Sequence, residues 1–122
     1  GSVSLKNYGG FASVRRRLTQ EESLNAKSIK LVFNGDGRDY KIRFRLDGNL
    51  DGPAYETTIS TLKGEKVELI LNEAQFEAIY RSRLLRGYPK FNFSEALQIE
   101  FMLADKKEGE FELTLYEFVF LK

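Results

Sequence analysis

The chain has 122 residues and a formal net charge of +1, from 19 basic and 18 acidic residues. This length suffices for one hydrophobic core but not for two, so we expect a single domain over residues 1–122. The small net charge disfavours nucleic-acid binding through counterion release. Histidine and cysteine are absent, which excludes disulfides, imidazole-based triads and most zinc, copper and iron sites.

No apolar stretch of the chain approaches the ~18 residues of a membrane-spanning helix. We therefore expect a soluble protein that does not insert into a membrane. A composition without cysteine is compatible with a bacterial cytoplasm, a periplasm or an organelle matrix, so the compartment stays open.

The first pattern in the chain is NYGG at residues 7–10, followed by an arginine-ended run over residues 11–17. A glycine-rich phosphate loop needs a helix behind it. This run instead alternates with a period of two, which is typical of a strand. We interpret residues 7–10 as a hairpin turn, and the run as a strand that displays Arg15 and Arg17.

Two further strand patterns lie at residues 28–33 and 39–46. In the second pattern apolar side chains alternate with basic ones: Ile42, Phe44 and Leu46 against Lys41, Arg43 and Arg45. This alternation predicts a strand with one buried and one solvated side. The intervening residues 34–37, Asn-Gly-Asp-Gly, tolerate the positive φ of a tight turn. We therefore predict that the two strands pair as a hairpin.

Residues 55–60 and 66–71 are rich in threonine, valine and isoleucine, which favours two shorter strands. The alternation then breaks over residues 72–86. Asn72 can cap a helix, and Gln75 follows it at the spacing of a capping box. We predict one helix or helical turn in this segment.

The last two strand patterns lie at residues 96–105 and 110–120, joined by a turn at residues 105–109. Four apolar side chains of each pattern share a face: Leu97, Ile99, Phe101 and Leu103 in the first, and Phe111, Leu113, Leu115 and Val119 in the second. The chain thus contains seven or eight predicted short strands and one predicted helix. Many short strands with regular turn signals favour an all-β fold, an antiparallel β-sandwich.

Four carboxylates lie in the predicted turns: Asp36, Asp39, Asp47 and Asp51. Pairs of carboxylates serve as the catalytic groups of glycosidases, and turn oxygens can bind calcium. Aspartate is, however, favoured in turns because its side chain accepts hydrogen bonds from nearby backbone amides. We interpret these residues as structural, and we predict no catalysis, no metal site and no cofactor.

An arginine-rich face is the remaining candidate site. Arg15, Arg17, Arg43 and Arg45 alternate along two predicted strands, with Tyr55 close to them. Two interpretations stay open at this point. The arginines can form cross-strand ion pairs with acidic neighbours, or they can bind carboxylates, phosphates or aromatic rings of a partner or ligand.

Three sequence blocks resemble, in the same order, blocks of the complex I intermediate-associated protein 30 family. The blocks are VSLKNYGGFASVR, NGDGRDYKIRFR and IEFMLADKKEGEFELTLYEFVF. Carried over by position, the family pattern falls on Asn7, Gly9, Gly10, Phe11, Ala12, Ser13, Val14, Arg15, Gly35, Asp36, Gly37, Arg38, Tyr40, Asp105, Lys106, Gly109 and Phe111.

The resemblance implies a galactose-binding-like jelly-roll β-sandwich, similar to some carbohydrate-binding modules, and no enzymatic activity. Mitochondrial members of the family act as assembly chaperones for respiratory complex I. The resemblance therefore implies a protein-binding module, an assembly chaperone or scaffold, whose partners are assembly intermediates of a membrane complex. The alternative is a carbohydrate-binding module that binds a glycan on the concave sheet face through stacked aromatic rings.

The chain also departs from the family pattern. Tyr8 stands where an asparagine is common, and the family's N-terminal segment with its MGGxS motif is absent. A sandwich without its first strands exposes a sheet edge, and unpaired edges recruit other chains. We therefore expect that the chain either associates with another copy of itself through an exposed edge or depends on the missing segment.

Overall fold

Strands dominate the computed structural model, which describes residues 3–8, 13–47, 52–81, 83–104 and 110–122. Within these ranges the strands are β1 (Val3–Tyr8), β2 (Ser13–Arg17), β3 (Ser28–Asn34), β4 (Asp39–Arg45), β5 (Ala54–Ser60), β6 (Lys66–Asn72), β7 (Glu77–Tyr80), β8 (Arg83–Leu84), β9 (Gln98–Leu103) and β10 (Glu110–Leu121). The same ranges contain one α-helix and two 3₁₀ turns: α1 (Gln20–Ser23), Glu73–Gln75 and Phe93–Glu95.

The strands form two antiparallel sheets that enclose the hydrophobic core. The four-stranded sheet has the order β1-β10-β3-β6, and the six-stranded sheet has the order β2-β9-β4-β5-β7-β8. Alternate side chains of both sheets point into the core, among them Leu31 and Phe33 of β3 and Ile42 and Phe44 of β4. The predicted all-β antiparallel β-sandwich is confirmed.

The predicted hairpin of residues 28–33 with residues 39–46 is wrong in its pairing. Both segments are strands, but β3 pairs with β10 and β6, whereas β4 pairs with β5 and β9. Residues 34–37 therefore carry the chain from one sheet to the other. Two strands that each bury one face can lie side by side or cover each other across the core, and the local turn chemistry does not distinguish these arrangements.

The hairpin predicted around residues 7–10 is wrong for the same reason. β1 pairs with β10 in the four-stranded sheet, while β2 pairs with β9 in the six-stranded sheet. β9 and β10 likewise belong to different sheets. The connecting residues 9–12 and 105–109 lie outside the described residues. The described part of the chain contains ten strands, more than the seven or eight predicted.

Strand β10 changes which side chains face the core partway along its length. Phe111 and Leu113 are buried, as predicted, but Val119 is 38% exposed and Phe120 is buried in its place. The cause is a register shift between Leu115 and Glu117 in the pairing with β3. An extra residue in one strand moves every following side chain to the opposite face.

The helix or helical turn predicted in residues 72–86 is present only as a helical turn, the 3₁₀ turn Glu73–Gln75. The backbone N–H of Asn72 donates to Oε1 of Gln75 at 2.8 Å, but only the 3₁₀ turn follows, and then β7 and β8. Phe76 and Ala78 are buried at alternate positions, and β7 pairs with β5, so strand pairing overrides the local helix signal.

Among the described residues the one α-helix is α1, where Thr19 and Glu22 form a reciprocal capping box. Its Thr19 N–H donates to Oε2 of Glu22 at 2.7 Å, and the Glu22 N–H donates to Oγ1 of Thr19 at 3.2 Å. These two bonds satisfy backbone donors at the helix start. In the ranges that the structure describes, no helix has the length and apolar character to cross a membrane.

Candidate functional site: a charged face on the six-stranded sheet

The outer face of the six-stranded sheet, which we call the charged face, carries a line of ionised side chains across five strands. Directly paired positions on β2, β9, β4, β5 and β7 hold, in order, Arg15, Glu100, Arg43, Glu56 and Glu77. We call this line the charged row. Because the side chains of a strand alternate, it lies opposite the core-facing positions of the same strands.

Opposite charges meet along the charged row. Arg15 Nε donates to Glu100 Oε2 at 2.5 Å, and Arg43 Nε donates to Glu56 Oε1 at 3.2 Å. Arg43 Nη1 also lies 3.9 Å from Glu100 Oε1, and Lys41 Nζ lies 3.4 Å from Glu56 Oε1. The arginines thus have acidic cross-strand neighbours, as the first of the two open interpretations states.

Glu100 is the centre of this arrangement. It is 1% exposed although it lies on the outer face of the sheet, and the guanidinium groups of Arg15, Arg43 and Arg45 approach it. A buried carboxylate needs charged or hydrogen-bonding partners, because burial removes its hydration. Sequence reasoning missed Glu100, although a lone charge at an outward position of the apolar run 97–103 is a usable signal.

A second line of side chains lies beside the charged row. Arg17, Gln98 and Arg45 occupy paired positions on β2, β9 and β4, and we call them the basic row. Arg17 is exposed, whereas Arg45 is 7% exposed and its Nη1 donates to the carbonyl of Gly52 at 3.1 Å. The structure therefore brings Arg15, Arg17, Arg43 and Arg45 together on one face, as the alternation predicts.

Tyr55 does not belong to the charged face. It is buried on the core side of β5, where it stacks on Phe91 with ring centroids 4.8 Å apart. Its hydroxyl donates to the carbonyl of Pro89 at 2.6 Å, and burial raises the pKa of this hydroxyl. Its neighbour Glu56 takes the outward position, and none of the described strand positions on the charged face carries an aromatic ring.

The segment Gly35-Asp36-Gly37-Arg38 forms a hydrogen-bonded crossing between the sheets. Oδ2 of Asp36 accepts from the Tyr40 hydroxyl at 3.0 Å and from the Glu112 N–H at 2.7 Å, while Oδ1 accepts from the Arg38 N–H at 3.0 Å. One carboxylate therefore ties the crossing, the start of β4 and the start of β10 together. This supports the structural interpretation of Asp36.

The two glycines of this crossing are required by their surroundings. A Cβ on Gly35 would lie 2.2 Å from Cβ of Thr61, inside any acceptable contact. Gly37 has φ of +90°, a conformation that residues with a side chain rarely adopt. Its N–H donates to Oγ1 of Thr61 at 2.9 Å, and Thr61 Oγ1 in turn donates to the Arg38 carbonyl at 2.7 Å.

The remaining positions of the family pattern are spread over the molecule. Phe111 is buried, and the guanidinium carbon of Arg38 lies 5.8 Å from its ring centroid. The backbone of Asn7 lies on β1, opposite Phe111, and Ser13 and Val14 lie on β2. Seven positions of the pattern lie outside the described residues: Gly9, Gly10, Phe11, Ala12, Asp105, Lys106 and Gly109.

The Tyr40 hydroxyl makes stability depend on pH at alkaline values. Burial and then the hydrogen bond to Asp36 raise the pKa of Tyr40 above its ordinary value of 10.0. The neutral phenol is favoured in the folded chain, so this stability is fully present below pH ~10 and is lost as the pH rises further. In urea unfolding from about pH 8 to about pH 11, wild-type chain should lose stability more steeply above pH ~10 than Tyr40→Phe. Parallel curves for the two proteins would contradict this assignment.

Away from the charged face lies a cavity of about 470 Å³, lined by Lys27, Asn72, Glu73, Ala74, Phe76, Lys90 and Phe91. These residues come from separate segments of the chain, so no local sequence pattern indicates the cavity.

Among the residues that the structure describes, no group of three or more aspartate or glutamate side chains could hold a metal ion.

The fold of this chain is a jelly-roll β-sandwich. It resembles two structures from Clostridium thermocellum: a family 11 carbohydrate-binding module in complex with a β-1,3-1,4-mixed-linked tetrasaccharide, and the family 11 carbohydrate-binding module of a cellulosomal cellulase. Both comparisons give a TM-score of 0.62 and 13% sequence identity and cover 94% of this chain, with 83% and 82% of the respective modules. At this identity the likeness shows the fold alone.

The sequence model of the family described as Complex I intermediate-associated protein 30 matches residues 1–115. The chain therefore belongs to this family, and the resemblance inferred from the three sequence blocks is confirmed. A comparison with curated protein sequences gives no significant match.

Proposed function

We propose that the chain is a non-enzymatic protein-binding module that takes part in respiratory complex I assembly through its charged face. Membership of the Complex I intermediate-associated protein 30 family supports the assembly role. We choose this surface because of the side chains at its paired strand positions, which are arginines and carboxylates. A small-molecule site is instead lined mainly by apolar and aromatic side chains.

The accessible part of this face on β2 is basic. Arg15, with 48% of its side chain exposed, and the exposed Arg17 both lie on β2, which is an edge strand of the six-stranded sheet. Arg43 is held by Glu56 and Glu100 and so presents a fixed geometry. Such an arrangement suits an acidic segment of a partner, because complementary charge favours encounter and correct orientation.

A second candidate function is glycan binding, which the fold of the two carbohydrate-binding modules favours. Sugar rings are commonly held by aromatic side chains that stack against their apolar faces. The strand positions of the charged face that the structure describes hold no such side chain, and Tyr55 is in the core. This observation favours a protein partner over a glycan.

Self-association through an edge strand such as β2 or β6 stays a prediction.

Affinity capture with charge-reversed variants tests the proposal. The 122-residue chain is immobilised and exposed to a detergent extract of respiratory membranes, and bound complex I subunits are identified by mass spectrometry. Arg17→Glu should reduce their recovery several-fold, because it places a negative charge on the basic part of the face. Lys63→Glu is the matched control, since it reverses one exposed charge outside this face and should leave recovery unchanged.

Two outcomes would overturn the proposal. One is equal recovery of complex I subunits by wild type, Arg17→Glu and Lys63→Glu. The other is absence of any complex I subunit together with calorimetric binding of the mixed-linked tetrasaccharide, which would establish the glycan alternative.

A further inference from the structure

The hairpin of β7 and β8 forms one edge of the six-stranded sheet and carries exposed apolar side chains. β8 ends the strand order at the edge opposite β2. At the tip of the hairpin Tyr80 pairs with Arg83, and Ile79 pairs with Leu84. Leu84 is 56% exposed and Tyr80 is 37% exposed. The fold therefore leaves a leucine and a tyrosine of this edge in contact with solvent.

Positive charge is concentrated in the same part of the chain. Residues 78–94 contain four basic side chains and no acidic one: Arg81, Arg83, Arg86 and Lys90. The rest of the chain then holds 15 of the 19 basic residues and all 18 acidic ones, so its net charge is −3. The ion pairs that the structure describes include none of these four side chains.

The acidic residues that flank this segment do not compensate its charge. Glu77 begins β7, at the end away from the tip, and lies opposite Glu56 in the charged row. Glu95 lies in the 3₁₀ turn that follows the segment. The tip of the hairpin is therefore positively charged as well as partly apolar.

The turn at the tip places Arg81 in a conformation that the backbone by itself does not favour for an arginine. Its φ is 48°, in the left-handed region where tight hairpin turns prefer glycine or asparagine. The side chain is exposed, and its guanidinium carbon lies 5.3 Å from the ring centroid of Tyr80. Turn geometry therefore does not explain an arginine at this position.

The apolar side chains of the tip cannot be covered by one flat surface. Because side chains alternate along paired strands, Leu84 lies on one side of the hairpin, and Tyr80 lies on the other with Arg83. A folded partner that packs on one side leaves the other side exposed. The headgroup layer of a lipid bilayer surrounds whatever enters it, so it covers both sides at once.

We propose that the tip of the β7–β8 hairpin binds the surface of a bilayer that contains anionic phospholipids. Arg81 and Arg83 contact lipid phosphate groups, and Leu84 and Tyr80 enter the headgroup region. Such binding needs no membrane-spanning segment. The inference goes beyond the proposed function and does not depend on it, because the hairpin and β2 lie at opposite edges of the sheet.

Co-sedimentation with large unilamellar vesicles tests the inference on the wild-type chain. The chain should sediment with vesicles of phosphatidylcholine and phosphatidylglycerol at about 3:1, and it should stay in the supernatant with phosphatidylcholine alone. Added salt should release it, because salt screens exposed charges. Glycerol phosphate, the soluble headgroup, should not compete at equal phosphate concentration, because it offers no layer for the apolar side chains to enter.

A pair of double variants tests the contribution of charge. Arg81→Gln with Arg83→Gln should weaken vesicle binding about 30-fold, from about five-fold for each charge near an anionic surface. Lys63→Gln with Lys66→Gln is the matched control, because it removes two exposed positive charges at and before the start of β6, in the other sheet. This control should change binding less than about two-fold, since distant charges are screened.

A pair of single variants tests the apolar contact. Leu84→Ser should weaken binding several-fold without changing the net charge, because it removes apolar surface that enters the headgroup region. Leu62→Ser is its control, since Leu62 is 55% exposed, almost as much as Leu84, but lies between β5 and β6. This control should bind vesicles as the wild type does.

The inference is overturned by equal sedimentation with the two kinds of vesicle, by displacement with glycerol phosphate, or by either test variant binding as its control does. It is also overturned if the chain binds soluble polyglutamate but no vesicle, which would assign an acidic peptide to the hairpin. The assay contains no complex I subunit, so its result is independent of the capture experiment.

Discussion

Glu100→Ala is expected to lower the free energy of unfolding by about 3–5 kcal/mol, the range for removing one partner of a buried ion pair. The substitution leaves the guanidinium groups of Arg15, Arg43 and Arg45 close together without the carboxylate that they approach. It also opens a space in a face that is closed at this point, since Glu100 is almost fully buried. Urea unfolding followed by circular dichroism measures the change.

Glu68→Ala is the matched control for this prediction. Glu68 lies on the outer face of the other sheet, its side chain is 61% exposed, and it pairs with Lys30 at 3.0 Å. Exposed ion pairs contribute little to stability, so the loss should be much smaller than for Glu100→Ala. Similar losses in the two variants would show that the charged row is not a structural unit of the fold.

Asp36→Ala should also destabilise the chain, by about 3 kcal/mol, because three donors lose a charged acceptor at once. The buried Tyr40 hydroxyl and the backbone N–H groups of Arg38 and Glu112 all donate to this carboxylate. Partial access of water to the two backbone groups keeps the loss below the sum of three fully buried bonds. The midpoint of urea unfolding again provides the measurement.

Asp39→Ala controls for the loss of a carboxylate from the same region, since Asp39 is exposed at the start of β4. Surface substitutions of this kind change stability little. An Asp36→Ala variant as stable as Asp39→Ala would mean that the crossing between the sheets does not depend on the Asp36 hydrogen bonds. The family pattern at this segment would then need a different explanation.

The Gly35–Tyr40 turn and the charged face have different roles. The Gly35–Tyr40 segment is explained by the crossing that it makes, with Asp36 and Thr61 as its hydrogen-bond centres. The charged face is held together by ion pairs that join Arg15, Arg43, Glu56 and Glu100 across four strands, and Arg17 beside them is exposed. We therefore propose that a partner binds the face and not the turn.

The candidate site was only partly predictable from the sequence. Alternation along residues 11–17 and 39–46 correctly places Arg15, Arg17, Arg43 and Arg45 on one side of their strands. In the structure β9 lies between β2 and β4 and so places Glu100 and Gln98 between these arginines. This arrangement depends on pairing between residues that are far apart in the chain. Tyr55 was assigned to the wrong face because its parity is set by the register of β5 against β4.

By itself the sequence determined most of the strands, since the period-two alternation that makes a segment suitable for a half-buried sheet is a local property. It also excluded imidazole and thiol chemistry, because the chain has neither histidine nor cysteine. Only the tertiary structure decided which strands pair, where the bulge in β10 reverses the facing side chains, and that residues 77–80 form a strand instead of a helix. The physical reason is that pairing and burial are interactions between distant segments, and a turn signal such as Asn-Gly-Asp-Gly is equally compatible with a hairpin and with a crossing between sheets.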